Sequence, residues 1–416
     1  MKSFQEALTW LYGVQLFGVK LGLDSMERLV AEMGLGTVTG VSLGAPADTA
    51  DRPKIIHVAG TNGKGSTCAM IASICRQAGF RTGLYTSPHL VCFRERIQVD
   101  GELISEAGAL DGLRRIRCLV ADWNPHPTFF EIVTALALDW FQQKGVQVIV
   151  LETGLGGRLD ATNIVAPTVA VLTSIGMDHV QVLGGSLRDI ATEKAGIIKP
   201  NIPVVSAPQE PDVLEIIQSV CEKKRAILRV VSNPLSECAV GLPGAIQRWN
   251  AALAQSAVEV AQLAVSLEAQ RAGLAKVTWP GRFQKLGERL ILDGAHNEAA
   301  ARVLVATWEE LYPGEKATVL FGALSDKDVR AVLLTLSPII AELMVVPVFS
   351  PRALAPGDLL RMSQELLLGV PCRACASLSD ALNQPTERRR LATGSLYLIG
   401  EILALQDGTR PEWSSQ

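Results

Sequence analysis

No stretch of this 416-residue chain is apolar for long enough to cross a bilayer, so a membrane-spanning role is set aside. A surplus of one charge is missing as well. The net charge is only −3, which leaves neither a basic surface for nucleic acid nor a polybasic face for an anionic membrane. The eight cysteines include one CxxC, Cys372 with Cys375, but no second pair to complete a zinc site and no strand-to-helix setting for a thioredoxin-type pair. We read that CxxC as structurally inert. Cys68 and Cys75 fall in an apolar helical stripe, where cysteine acts as a small hydrophobe. The N-terminal MKSFQEALTWLYGVQLFGVKLG carries Glu6 among its apolar residues and lacks a small-residue cleavage site. It reads as an amphipathic helix rather than a signal peptide, and the expected location is cytoplasmic. Internal repeats and low-complexity segments are absent.

What the chain does have is apolar material. At 48% hydrophobic and 19% charged residues over 416 positions, it can fill two cores, and two domains of unequal size are expected. The pattern is strand, loop, helix, repeated. KIIHVA at 54–59 reads as a strand, followed by a glycine-rich turn and a helix from about Ser66 to Ala78. Further strands are expected at 81–86, 146–151, 168–173 and 202–206, and a long helical stretch at 245–267. Near-continuous apolar strands alternating with helices predict a parallel sheet covered on both faces. TWPGRF at 278–283 has the composition of a linker. Beyond it come a strand at 289–293, a helix from about 297, a strand at 317–322 and a last strand at 395–399 (SLYLI). The expected division is 1–278, a linker at 279–284, and 285–416, each large part an α/β domain.

The chemistry gathers at strand ends. His57-Val-Ala-Gly-Thr-Asn-Gly-Lys-Gly-Ser66-Thr67 lies between a strand and a helix, the context of a phosphate-binding loop. Glycines let backbone N–H groups reach phosphate oxygens, the helix N-terminus favours negative charge, and Lys64 can reach the outer phosphates. The pattern departs from a strict Walker A, because Gly65 separates Lys64 from the hydroxyl residues. Ser87, Glu152 and His179 each follow an apolar strand, and in an open parallel sheet those ends share one crevice. A hydroxyl, a carboxylate and an imidazole beside a phosphate loop can hold magnesium together with waters. Lys194 lies within the apolar stripe Leu187, Ile190, Ala191, Ala195, Ile198 of a helix expected at 187–199. A desolvated lysine reacts as the neutral amine, whereas one at the stripe's edge would snorkel into water.

Nine blocks in order, FGVKLGLDSMERL, HVAGTNGKGST, TSPHL, FRERIQV, TFFEIVTALAL, ETGLGGRLDATN, DHVQVLGGSLRDIATEKAGIIK, GRF and LDGAHN, resemble the folylpolyglutamate synthase/dihydrofolate synthase family of bacterial bifunctional type. The likeness runs from about residue 4 to 330 and thins thereafter. The resemblance implies a large P-loop α/β domain and a smaller Rossmann-like α/β domain. It also implies an ATP- and magnesium-dependent ligase that adds L-glutamate to dihydropteroate or to reduced folates. ATP would lie on Thr61, Asn62, Gly63, Lys64, Gly65 and Ser66, with its adenine at Asn250 and its phosphates at Arg282, Asp293 and His296. Magnesium would be held by Ser87, Glu152 and His179, and Lys194 would be the lysine that the family carries as a carbamate. The pterin would contact Thr128, Phe130, Asp160 and Ala161. Lys64, Glu152, His179, Lys194, Asp293 and His296 form the implied catalytic set of a monomer that takes small molecules and neither nucleic acid nor membrane. One position departs from the family pattern: Ile246-Gln247 replaces the usual His-Gln pair near Asn250, so a hydrogen-bonding side chain is missing there. Two rivals stay in view, a Mur-type ligase acting on muramyl peptides and a non-catalytic ATP-binding regulator.

Overall fold

The run KIIHVA forms strand β1 (Lys54–Ala59), near the middle of an eight-stranded sheet. The computed structural model describes residues 1–14, 22–39 and 52–412. The sheet also contains β2 (Thr82–Tyr85), β3 (Ile97–Val99), β4 (Glu102–Leu103), β5 (Val148–Glu152), β6 (Val169–Leu172), β7 (Val204–Ser206) and β8 (Leu228–Val230). Their order is β4-β3-β2-β5-β1-β6-β7-β8, with β3 antiparallel to both of its neighbours and every other pair parallel.

Alternation along β1 explains the two covered faces. Ile55 packs into the cluster that includes Phe129 to Phe141 and Leu113, on the side of helices Glu106–Leu119 and Phe129–Lys144. Ile56 and Val58 point the other way, onto helices Lys64–Gln77, Ala245–Val260 and Leu267–Lys276. A strand apolar on both faces belongs inside a parallel sheet, and this one does.

The second sheet has the order β13-β12-β11-β14-β10-β9. It is built from β9 (Gln284–Leu286), β10 (Leu290–Leu292), β11 (Ala317–Phe321), β12 (Ile340–Val345), β13 (Cys372–Ala374) and β14 (Arg390–Thr393). Ile291, Val319 and Leu343 face one buried cluster, and Leu292, Leu320 and Met344 face another.

Four local expectations change, one of them at the long helical stretch of 245–267, which ends at Val260 with a separate helix from Leu267. SLYLI at 395–399 is not a strand: the last strand is β14, and Leu396–Gln406 is a helix capped by the Ser395 side chain. Gly394, at φ +101, turns the chain between them, and a short apolar run reads equally well as a buried strand or a buried helix. The helix carrying Lys194 ends at Ala195 rather than Lys199. It stops where Gly196 meets the Arg158 backbone so closely that an added Cβ would lie 2.5 Å from its Cα. In the segment expected to be a linker, Phe283 is buried in the second sheet's core and Gln284 already begins β9. Of the expected N-terminal helix, Phe4–Gly13 is helical, and residues 15–21 lie outside the described residues.

Candidate active site

The sheet positions the site. β1 lies between β5 and β6, with Val58 opposite Glu152 and Ala59 opposite Leu172, so the loops leaving these strands emerge side by side. This is where strand order changes direction, and an open α/β sheet leaves its crevice there.

After β1 the chain turns through Gly60 and Gly63, the latter left-handed at φ +89, into the helix Lys64–Gln77. No side chain caps that helix. The first-turn amides of a 14-residue helix are thereby left for an external anion. Asn250 and Trp279 press on the loop: a Cβ on Gly63 would lie 2.8 Å from Asn250 Oδ1, and one on Gly65 would lie 2.7 Å from Trp279 Nε1. Gln247, buried beside Asn250, accepts a bond from its Nδ2 at 3.0 Å. Thr61 ties the loop to the segment after β6, since its hydroxyl donates to the Gly176 carbonyl at 3.0 Å. Lys64 Nζ makes one hydrogen bond, a long one of 3.3 Å to the Thr61 carbonyl. Ser66 is buried in the first turn. A bare helix N-terminus, a left-handed glycine and an under-used lysine fit a nucleotide's phosphates.

Glu152 ends β5 and is only 4% exposed. Its carboxylate accepts a single hydrogen bond, from the Ser87 N–H at 3.2 Å. Burial pushes this carboxyl up, and the Lys64 charge and the Ser87 bond oppose the shift. A buried carboxylate with an idle oxygen is a fit site for a cation. His179 follows β6, in a left-handed conformation at φ 51. Burial lowers its pKa to about 4, against the pull of Asp178, so the imidazole is neutral and able to ligate. Among the described residues no three His, Cys, Asp or Glu side chains form a metal cage. Ser87 and Glu152 meet at adjoining strand ends, and a buried carboxylate with few protein partners suits magnesium, which keeps several waters. Lys194 is buried, and its Nζ donates to the Gly60 carbonyl at 2.8 Å. Burial, helped by the Lys64 charge, lowers its pKa to about 7. The lysine therefore sits inside the fold rather than snorkelling at its edge.

From the second sheet come Asp293, at the end of β10, and His296. Asp293 accepts from the Phe283 and Ala295 N–H groups, each at 2.9 Å, and burial raises its carboxyl against the nearby Arg282 charge. His296 Nδ1 donates to the Gly294 carbonyl at 2.8 Å, which leaves Nε2 as the bare nitrogen. Burial, with the Lys327 charge, lowers this imidazole to about 4.

The Mur ligase middle domain matches residues 58–210, and the Mur ligase glutamate ligase domain matches residues 281–398. The chain is 34% identical over 449 aligned positions to the dihydrofolate synthase/folylpolyglutamate synthase of Bacillus subtilis, covering 96% of this chain and 98% of that one. The chain belongs to the folylpolyglutamate synthase/dihydrofolate synthase family. It is an enzyme, a ligase. Escherichia coli FolC in complex with DHPP and ADP superposes with a TM-score of 0.86 at 30% identity, covering 98% of both chains. The Yersinia pestis bifunctional enzyme complexed with AMPPNP and a manganese ion gives 0.83 at 31%, again over 98% of both.

Within this synthase-family chain the four residues expected at the pterin are not equally free. Thr128 caps the helix Phe129–Lys144 in a reciprocal box with Glu131, donating to Glu131 Oε2 at 2.8 Å. The Asp160 carboxylate accepts from the Gly154, Leu155 and Thr162 N–H groups and from the Thr162 hydroxyl. These two side chains shape the loops. Phe130, whose ring lies 5.9 Å from that of Tyr85, is only partly buried, and Ala161 is buried at the start of a short helical turn. Several residues escaped the sequence reading. His57, wholly buried, bonds Thr162 Oγ1 at 2.8 Å. That hydroxyl spends its proton on Asp160, so His57 must donate through Nε2, and its Nδ1 has no partner. Asp178, Asn297 and Lys327 also join the site, and no spacing in the sequence links them.

Proposed function

We propose that this chain joins L-glutamate to the carboxylate of dihydropteroate, and to that of reduced folates and their glutamylated forms, consuming ATP and releasing ADP and phosphate. The observation that carries the reading is the uncapped helix start with Lys64, set beside the half-satisfied, buried Glu152 at adjoining strand ends. The names of the relatives supply the substrate class.

A carboxylate does not condense with an amine in water without activation. Transfer of the γ-phosphoryl group to the pterin-linked carboxylate makes an acyl phosphate, with ADP leaving. The glutamate amine attacks the acyl carbon, and phosphate departs. Lys64 and the amides of the segment from Thr61 to Ser66 hold the phosphates, with Asn250 beside the adenine. Arg282, Asp293 and His296 approach from the second sheet and stabilise the charge that develops during transfer. Bound magnesium, held by Ser87, Glu152 and His179 with waters, would neutralise charge on the transferring group. Lys194 is read as carbamylated, because a buried amine that is partly neutral can capture CO₂ and present an anion. Phe130 and Ala161 face the pterin, with Thr128 and Asp160 holding their loops.

No helix among the described residues is long and apolar enough to cross a membrane. We take the working form to be a cytoplasmic monomer acting on small molecules. Mass spectrometry of the pterin product tests the reading: one glutamyl residue should be gained for each ATP consumed. ATP hydrolysis without a mass gain would contradict it.

A further inference from the structure

Asp178 and Lys327 form the one ion pair, among those found between described residues, that joins the segment after β6 to the second sheet's side of the molecule. Lys327 Nζ lies 2.7 Å from Asp178 Oδ1, and each side chain is 11% exposed. Around the pair is a polar cluster. Asn297 Nδ2 reaches Asp178 Oδ2 at 3.3 Å, while Asn297 and Asn62 approach each other through both amides at 3.2 and 3.3 Å. Asn297 also caps the helix Glu298–Leu311 by accepting from the Ala300 N–H at 2.8 Å.

Taking two charges out of water is a poor route to stability, because desolvation offsets most of their attraction. What such a pair does provide is a fixed geometry. Three members of the cluster belong to the site or adjoin one of its residues. Asn62 is part of the phosphate loop, Asp178 precedes His179, and Asn297 follows His296. Asp178 and Asn62 belong to the first sheet's half of the crevice, whereas Asn297 and Lys327 belong to the second. We infer that Asn62, Asp178, Asn297 and Lys327 form a clasp that sets the two halves of the active site in register, and that Lys327 is a positioning residue for the reaction. The clasp links the conformation of the phosphate loop to the placement of His296. A loop seated on its phosphates presents Asn62 to Asn297, and Lys327 then locks the second half against Asp178. This inference rests on the ligase reading above.

The test uses the full chain with Lys327→Met, Lys327→Arg, Asp178→Asn and the double Asp178→Asn/Lys327→Met, which leaves no charge unpaired should a single variant fold poorly. Glutamate-dependent ADP release gives kcat and each KM, thermal melting gives the folded state, and small-angle scattering follows compaction with magnesium and a non-hydrolysable ATP analogue. Lys327→Met should lower kcat by about tenfold or more while each KM moves less than about threefold, the pattern of lost transition-state alignment. Lys327→Arg should recover most of the rate, and the double variant should be no slower than the worse single one. Wild type should compact with the analogue, and Lys327→Met should stay near its nucleotide-free dimensions. An unchanged kcat, fully additive losses, or a defect confined to the KM for glutamate would overturn the clasp. The last result would make Lys327 a substrate contact. Wild type inactive on every folate would count against the ligase reading instead, and the scattering comparison would then decide the clasp alone.

Discussion

Lys194 makes a single hydrogen bond, to the Gly60 carbonyl at 2.8 Å, and burial brings its pKa to about 7. At neutral pH a large share of this amine is uncharged, which is the form that captures CO₂. Incubation with ¹³C-bicarbonate should give a carbamate signal in wild type and none in Lys194→Arg, and both Lys194→Arg and Lys194→Ala should lose activity through weaker magnesium use. No labelled carbon in an active enzyme would remove the carbamate from the account. His57 provides a separate test. Its pKa falls from 6.5 to about 3 because the ring is buried, with a smaller push from Lys199. A lowered folded-state value means that the unfolded chain takes up the proton first as pH drops below about 6.5, so stability is lost on acidification. Between pH 7 and pH 5 the loss from this residue should be about 2 kcal/mol. A His57→Gln variant should show a flatter stability profile over that interval, and a profile as steep as wild type would show that His57 contributes nothing.

At the scale of elements, the glycines of the phosphate loop separate backbone need from site need. Gly63 and Gly79 both sit left-handed, at φ +89 and +84, but only Gly63 has a neighbour, Asn250 Oδ1, within reach of an added Cβ. Either substitution by alanine should cost about 1 kcal/mol of stability. Gly63→Ala should also raise the KM for ATP by about tenfold or more, while Gly79→Ala leaves it unchanged. Equal effects on ATP would mean that the loop does not carry the nucleotide. The strand ends were legible in the sequence because each polar loop follows an apolar run, and Lys194 was legible as a charge inside a stripe. The helix Leu396–Gln406 was not, since a run such as SLYLI carries no period long enough to choose between states. The pair Asp178–Lys327 was out of reach for another reason: its members are 149 residues apart and meet only once two sheets are in place.

Across the whole molecule, two sheets contribute residues to the proposed site. Glu152, His179 and the phosphate loop come from the first sheet, and Arg282, Asp293 and His296 come from the segment leading into the second or from its strand ends. The residue classes were legible at this scale too, as two α/β alternations on either side of a Pro-Gly segment. The hydrogen bonds that tie Thr128 to Glu131 and Asp160 to the backbone of its own loop were not, because such bonds show only in the fold. The central claim is that ATP turnover needs both glutamate and a pterin-linked carboxylate. ADP release should therefore be measured with dihydropteroate, tetrahydrofolate or a UDP-muramyl peptide, each with and without L-glutamate, with Lys64→Ala and Glu152→Ala as folded controls. The account predicts turnover only with glutamate and a pterin substrate together, lost in both variants while their melting temperatures stay near wild type. Turnover with the muramyl peptide alone, or glutamate-independent turnover that survives in Lys64→Ala and Glu152→Ala, would contradict it.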